Sequence, residues 1–138
     1  MPNIKLMETA LPTAPLKIAA HDSCRELGEK VNKYIVKFRQ DTLKESLDSP
    51  LFASYKQDNY LIECQCPRFG SGEAKGLLGE SIRGKDLFVM VDVCNYSLTY
   101  TVNGHLNHMS PDDHYQDLKR IISAANGKAH RVNVIMPF

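Results

Sequence analysis

A dense apolar run near the middle of the chain constrains the fold most. From Asp86 to Val93 the sequence reads Asp-Leu-Phe-Val-Met-Val-Asp-Val, so an extended segment here carries apolar side chains on both faces. A strand of this kind has to be covered on both sides, which is the usual situation of a strand in a parallel sheet. We therefore expect a sheet with helices packed against both of its faces.

The first strong helix pattern follows a short extended run, Leu16 to Ala20. His21, Asp22 and Ser23 come next and include residues that cap helices, so a strand, a turn and a helix are expected in this order. Apolar residues then recur at helical spacing, and we expect this stripe to pack on the sheet. Its members are Leu27, Val31, Tyr34, Ile35 and Phe38.

A second helix is predicted to begin after Ser110, with Pro111 in its first turn. Ser110 suits the N-cap, and the acidic Asp112 and Asp113 complement the free N–H groups at a helix start. The predicted buried stripe is Tyr115, Leu118, Ile121, Ile122 and Ala125. Asn126-Gly127 supplies a left-handed stop, and Arg131 to Met136 is predicted to be a final strand.

Four segments are less regular. Tyr60 to Cys66 alternates as a strand does and ends at Pro67, and Ala74 to Leu78 is expected to form another short strand. Arg39 to Asn59 could be a helical turn or a surface excursion, and Cys94 to Met109 is expected to be a loop with a short hairpin around Asn103-Gly104. Strands interleaved with two helices predict one α/β layered domain over residues 1–138, with a mostly parallel sheet flanked by helices.

Composition excludes several classes of protein. The formal net charge is +1, so no excess of basic residues argues for nucleic acid or an anionic membrane surface. No apolar run approaches the roughly 18 residues of a membrane helix, and the first residues lack the apolar core of a signal peptide. We therefore expect a cytoplasmic protein with four reduced cysteines.

Two groups of residues resemble metal ligands only loosely. Cys64 and Cys66 form a local pair without further ligands, although structural zinc needs four. A second group lies between the loop and the second helix, where a polar surface is the favoured interpretation: His105, His108, Asp112, Asp113 and His114. We predict no metal site in this chain, and His21 is interpreted as a helix-entry residue without a catalytic role.

Two polar turns before the central strand carry the chemistry. Phe69-Gly70-Ser71-Gly72-Glu73 can turn tightly, offer a flat aromatic face to a base and place Glu73 to accept hydrogen bonds. We expect it at the carboxyl end of a strand, where parallel sheets collect ligands. The alternative is a plain turn with Phe69 in the core and Glu73 in solvent. In the second turn, Ser81 and Arg83 could hold phosphate oxygens, or the turn could simply be solvated.

Together these turns and the strand after them resemble the N-terminal half of the ribose-phosphate pyrophosphokinase family. The resemblance implies a phosphoribosyltransferase-like N-terminal domain in which Phe69 stacks on the adenine of ATP and Glu73 lies beside the adenine amino group. Ser71 stands where the family has Asn or Asp, so the resemblance does not carry the family's base specificity and affinity over at this position. Ser81 and Arg83 fall near a regulatory anion site of some members.

The family transfers a pyrophosphoryl group from MgATP to ribose 5-phosphate, which yields AMP and 5-phosphoribosyl diphosphate. Its adenine site lies between subunits, so the resemblance implies a homo-oligomer in which this turn serves a neighbouring active site. The family's Arg-Gln segment, metal-associated His and phosphoribosyl loop lie beyond Phe138. We therefore expect an inactive N-terminal domain of a two-domain enzyme, with no catalytic residue and no bound Mg²⁺ of its own.

Two other interpretations stay open. Ser71 and a loop from Cys94 to Met109 that lacks the family's Asn-Asp-Asn helix entry would also suit a non-catalytic nucleotide-binding or regulatory relative. An unrelated α/β interaction domain would match the turns by accident, and it would show no response to ATP.

Overall fold

A parallel sheet forms the centre of the molecule. The computed structural model describes residues 12–45 and 50–137. Four parallel strands make the sheet in the spatial order β2-β1-β5-β8, namely β1 (Leu16–Ala20), β2 (Leu61–Ile62), β5 (Asp86–Met90) and β8 (Arg131–Ile135). Two antiparallel ribbons accompany it, β3 (Cys64–Gln65) with β4 (Leu77–Leu78) and β6 (Thr99–Val102) with β7 (His105–His108).

Two helices cover the sheet, one on each face. Helix α1 (Arg25–Glu45) follows a 3-10 turn at Asp22–Cys24, helix α2 is Pro111–Ala125, and a second 3-10 turn lies at Pro50–Tyr55. Leu87, Val89 and Val91 face the α2 side, where they join one apolar cluster. Phe88 and Met90 belong to the cluster on the α1 side. The prediction of a strand covered on both faces, and with it the α/β fold class, is confirmed.

The ends of α2 follow the sequence closely. The Ser110 hydroxyl accepts a hydrogen bond from the backbone N–H of Asp113 at 3.2 Å, and the Asp113 carboxylate accepts one from the Ser110 N–H at 2.9 Å. This reciprocal pair satisfies two N–H groups that a helix start leaves free. At the other end Asn126 adopts a left-handed conformation with φ of 49°. The predicted cap and stop are both confirmed.

The buried face of α1 differs from the predicted stripe. Val31 and Ile35 pack against the core, but Tyr34 is 76% exposed and Phe38 is also exposed. Gly28 sets this orientation, because a Cβ there would lie 2.5 Å from the Cβ of Ala20. The face of the helix that contains Gly28 therefore packs closest to the sheet, and the side chains of Tyr34 and Phe38 point toward solvent.

The buried face of α2 differs in a similar way. Leu118 and Ile121 are buried as predicted, whereas Tyr115 and Ile122 are exposed. Two polar residues, His114 and Asp117, take part in the buried stripe instead. They lie on the face of Leu118 and Ile121 because residues three and four apart on a helix are neighbours.

The strand predicted from Tyr60 to Cys66 is divided at Glu63. Its first half, β2, belongs to the parallel sheet, and its second half, β3, leaves the sheet to pair with β4. β4 itself is only two residues long, and Ala74 makes a single bridge to Arg68. β5 ends at Met90 rather than Val93, and β8 ends at Ile135 rather than Met136.

The two segments left open are partly regular. Asn103 and Gly104 have φ of 49° and 79°, which suits a tight hairpin turn, so the predicted hairpin between β6 and β7 is confirmed. Between Arg39 and Asn59 the chain continues α1 and then forms the 3-10 turn, while residues 46–49 lie outside the described part. Within residues 12–45 and 50–137, no helix is long and apolar enough to cross a membrane.

Candidate functional site

The Phe69 to Glu73 turn is closed by its own backbone. The Phe69 N–H donates to the Glu73 carbonyl at 2.7 Å, and the Gly72 N–H donates to the Phe69 carbonyl at 2.9 Å. Gly72 has φ of +91°, a conformation that favours glycine. Phe69 is 49% exposed, and Ser71 and Glu73 are exposed too. The structure thus presents all three predicted side chains at the surface, and Phe69 does not lie in the core.

The position of this turn differs from the prediction. It follows β3, which is in an antiparallel ribbon, and not a strand of the parallel sheet. Its link to the carboxyl edge of that sheet is Arg68. The Arg68 guanidinium donates to the Asp117 carboxylate at 3.0 Å, and it lies 4.6 Å from the centre of the Tyr100 ring. A side chain at Gly72 would contact Val102 at 3.7 Å, so the hairpin also backs the turn.

Asp117 is the centre of a buried polar network. Asp117 is only 1% exposed. One of its carboxylate oxygens accepts from Arg68, and the other accepts a hydrogen bond from Arg120 at 2.6 Å. His21, which directly follows β1, brings its Nε2 within 3.5 Å of the same carboxylate. A buried carboxylate needs such partners, because burial of an unpaired charge is costly. Two guanidinium groups therefore compensate one buried negative charge beneath the turn.

The loops after β1 and β5 join this network through Ser23. The Ser23 hydroxyl bonds to His21 Nδ1 at 2.9 Å and accepts from the Asp92 N–H at 3.1 Å. The Asn95 side-chain amide donates to the Ser23 carbonyl at 3.1 Å. His21 Nδ1 also accepts from the Ser23 N–H at 3.2 Å, which confirms its interpretation as a helix-entry residue. These bonds hold the two loops together at the carboxyl edge of the sheet.

His114 lies in the interior beside this network. Its Nε2 is 2.6 Å from the Asn95 carbonyl, and its ring stands edge-on to that of His21 at 5.7 Å. Its Nδ1 has no hydrogen-bond partner among the described residues. His105 and His108 are exposed on β7, so the imidazoles of the predicted polar group do not converge.

Among the described residues, one set of ligand-type atoms does converge, and the sequence patterns missed it. His21, Cys66 and Asp117 each bring a ligand atom within 4.8 Å of the others. The set does not suit Mg²⁺, which prefers oxygen ligands. Two arginines already occupy the carboxylate, and burial, followed by the charge of Asp117, raises the pKa of the Cys66 thiol to about 12. We therefore interpret this set as part of the structural network.

A cleft lies where ligands usually collect in such sheets. The chain passes from β1 to β2 on one side of β1 and then crosses to β5 on its other side. The strand order therefore reverses between β1 and β5. The crevice outside the carboxyl ends at such a point is a common ligand site. Here a cavity of about 630 Å³ opens between the two loops, lined by Ser23, Arg25, Lys30, Asp92 and Asn95 among others.

Ser81 and Arg83 belong to a separate turn. They precede β5 at its amino end, both are exposed, and the Arg83 N–H donates to the Ser81 hydroxyl at 3.4 Å. A cavity of about 390 Å³ there is lined by the cations Arg83 and Lys128 and by the acidic Glu80. The carboxyl-terminal end of α2 carries a partial negative charge, which disfavours an anion there. An anion site here stays a prediction.

The fold can be compared with known proteins. Residues 16–138 match the family model of the N-terminal domain of ribose phosphate pyrophosphokinase. The match spans both helices, the whole parallel sheet and both polar turns. No curated protein matches the chain.

Proposed function

The chain belongs to the family of the N-terminal domain of ribose phosphate pyrophosphokinase, and from this premise we propose that its Phe69 to Glu73 turn binds the adenine of ATP. The observation that carries the proposal is the exposure of three suitable side chains on a turn closed by two backbone hydrogen bonds. A base needs a flat apolar face and a hydrogen-bond partner at its edge.

Each side chain has a separate task in this proposal. The half-exposed ring of Phe69 stacks on the purine, and the Glu73 carboxylate accepts hydrogen bonds from the exocyclic amino group. Ser71 offers a hydroxyl with a shorter reach than an amide or carboxylate. We infer that the Ser71 position reads the base less strictly than the Asn or Asp of the family does.

We propose that the whole enzyme carries out transfer of the pyrophosphoryl group of MgATP to ribose 5-phosphate, with Mg²⁺ arriving as part of the nucleotide substrate. Such a transfer depends on positioning and on cations around the phosphate oxygens. The residues of this domain contribute the binding site for the adenine of ATP. We therefore propose that this domain binds nucleotide but catalyses no transfer alone, and that its outward-facing turn serves the active site of a neighbouring subunit in a homo-oligomer.

Thermal denaturation with and without ATP tests adenine binding. A ligand at 100 times its Kd stabilises the folded state by about 2.7 kcal/mol, which raises Tm by roughly 8 to 10 °C in a domain of this size. Phe69→Ala should abolish this shift. Tyr34→Ala is the matched control, because Tyr34 is an exposed aromatic residue on α1 and should leave the shift unchanged. Absence of any shift in the unaltered protein would refute adenine binding by this domain.

A second candidate function is nucleotide binding without catalysis, as in a regulatory relative. It is favoured by Ser71 at the base-reading position and by the β6–β7 hairpin where the family has a helix entry. AMP formation from ATP and ribose 5-phosphate, measured with the native gene product, separates the two. ATP binding without AMP formation would support the regulatory function.

A further inference from the structure

We propose that Arg68 and Asp117 are positioning residues that set the angle of the Phe69 to Glu73 turn for its base. This inference rests on the proposed adenine binding and adds residues that touch no nucleotide. Arg68 directly precedes Phe69 in the chain, and Asp117 lies on α2. The salt bridge between them therefore joins the base-binding turn to a helix of the core.

The environment of Arg68 fixes its direction. Its side chain is only 10% exposed and lies between the Asp117 carboxylate at 3.0 Å and the Tyr100 ring at 4.6 Å. A guanidinium held by a carboxylate and by an aromatic face has little rotational freedom left. Because Arg68 also bridges to Ala74, this anchor restrains both the entry and the exit of the turn.

The exit of the turn is restrained by α2 as well. The Lys75 N–H donates to the Pro67 carbonyl at 3.3 Å, just outside the bridge. Gly76 then lies so close to α2 that a Cβ would meet the Arg120 carbonyl at 2.3 Å. The turn also lies against the β6–β7 hairpin, where Val102 faces Gly72. Movement of Phe69 relative to the core is thus limited on three sides.

The chemistry of the Arg68–Asp117 salt bridge argues for a positioning role. A buried ion pair is weak as a device for stability, because apolar residues of similar volume often stabilise a core equally well. Its advantage is direction, since a carboxylate accepts from a guanidinium only in a narrow geometry. Asp117 binds the two guanidiniums with separate oxygens, so its contact with Arg68 does not require the one with Arg120. We infer that this pair keeps the aromatic ring at one fixed angle to the base.

Arg120 provides a matched control for this inference. Arg68→Met and Arg120→Met each remove one of the two guanidiniums on Asp117, but only Arg68 belongs to the turn. Calorimetric titration with ATP, below the melting temperature of each variant, gives the Kd. We expect about a tenfold weaker Kd for Arg68→Met and a change within about twofold for Arg120→Met, the range expected of residues that act through a neighbour. Hydrogen exchange should also become faster at the Phe69 amide in Arg68→Met alone.

Equal Kd values in the two variants would overturn the positioning role while leaving adenine binding intact. Loss of ATP binding in the unaltered protein would overturn the proposed function and this inference together, so the two failures are distinct. If Arg68→Met does not fold, Arg68→Lys decides, because it keeps a positive charge near the Asp117 carboxylate but lacks the planar fork of the guanidinium. An unchanged Kd in Arg68→Lys would then refute the proposal, and a weaker one would support it.

Discussion

The close approach of Gly76 to helix α2 makes Gly76→Ala a sharp test of the structure. The new Cβ would lie 2.3 Å from the Arg120 carbonyl oxygen, 2.5 Å from its carbon and 2.8 Å from the Ile121 nitrogen. All three atoms belong to the helix backbone, so no side-chain rotation relieves the contact. Either the segment before β4 or α2 has to move by about an ångström, which disturbs the close packing of the core.

The cost follows from this geometry. Overpacking of a core commonly lowers the free energy of unfolding by about 1–3 kcal/mol. A contact with rigid backbone is expected to cost about 3 kcal/mol or more. A domain of this size loses about 3 °C of Tm per kcal/mol, so we expect Tm to fall by about 10 °C. Circular dichroism melting and urea titration both measure the loss.

Gly70→Ala is the control for Gly76→Ala. A Cβ at Gly70 would meet nothing within 4 Å, although Gly70 lies in the same turn region. We expect its free energy of unfolding to stay within about 0.5 kcal/mol of the unaltered protein. A Gly76→Ala variant that melts within about 2 °C of the unaltered protein would show that the segment does not lie against α2 as described.

Two further predictions concern titratable groups. Hydrogen bonds from Arg131 lower the pKa of Asp86 below its ordinary value of 3.8, so its contribution to stability is present above that pH and is lost as pH falls through the lowered value. Asp86→Asn should therefore destabilise the protein at pH 7, with a difference that shrinks below about pH 4 in urea titrations; a constant difference would contradict this. Burial raises the pKa of the Cys64 and Cys66 thiols to about 12, whereas Cys94 is exposed. Iodoacetamide at pH 8 should modify Cys94 first, as mass spectrometry of digested protein would show, and early modification of Cys66 would contradict its partly buried position.

Much of the fold could be predicted because local signals agreed with the tertiary structure. The run from Asp86 specifies a strand buried on both faces, and Ser110 with Asp113 specifies the start of α2. The errors on the helices have one cause. Apolar spacing identifies a helix but defines its buried face only to within a wide stripe, and the glycine contact of Gly28 with Ala20 rotates α1 so that Tyr34 is exposed.

The site was predicted less completely than the fold. The resemblance of their turn to the family assigns Phe69 and Glu73 to adenine, which stays a prediction, and the network beneath them was not predicted. His114 was interpreted as part of a polar surface and Asp117 was not singled out, because a search for apolar periodicity passes over polar residues. A usable signal exists, because both lie at helical spacing with Leu118 and Ile121. Partners such as Arg68 are distant in sequence, and only the folded chain brings them to Asp117.

Helix α2 and the residues just after it contact both polar turns. Asp117, near the middle of the helix, holds Arg68, and past the end of the helix the Lys128 carbonyl accepts from Gly84, the residue after Arg83. Asp117 and Ala125 are eight residues apart, or about 12 Å along the axis. A helix is stiff over this length, so both polar turns are attached to one rigid element. A substitution that displaces α2 is therefore expected to displace both turns together.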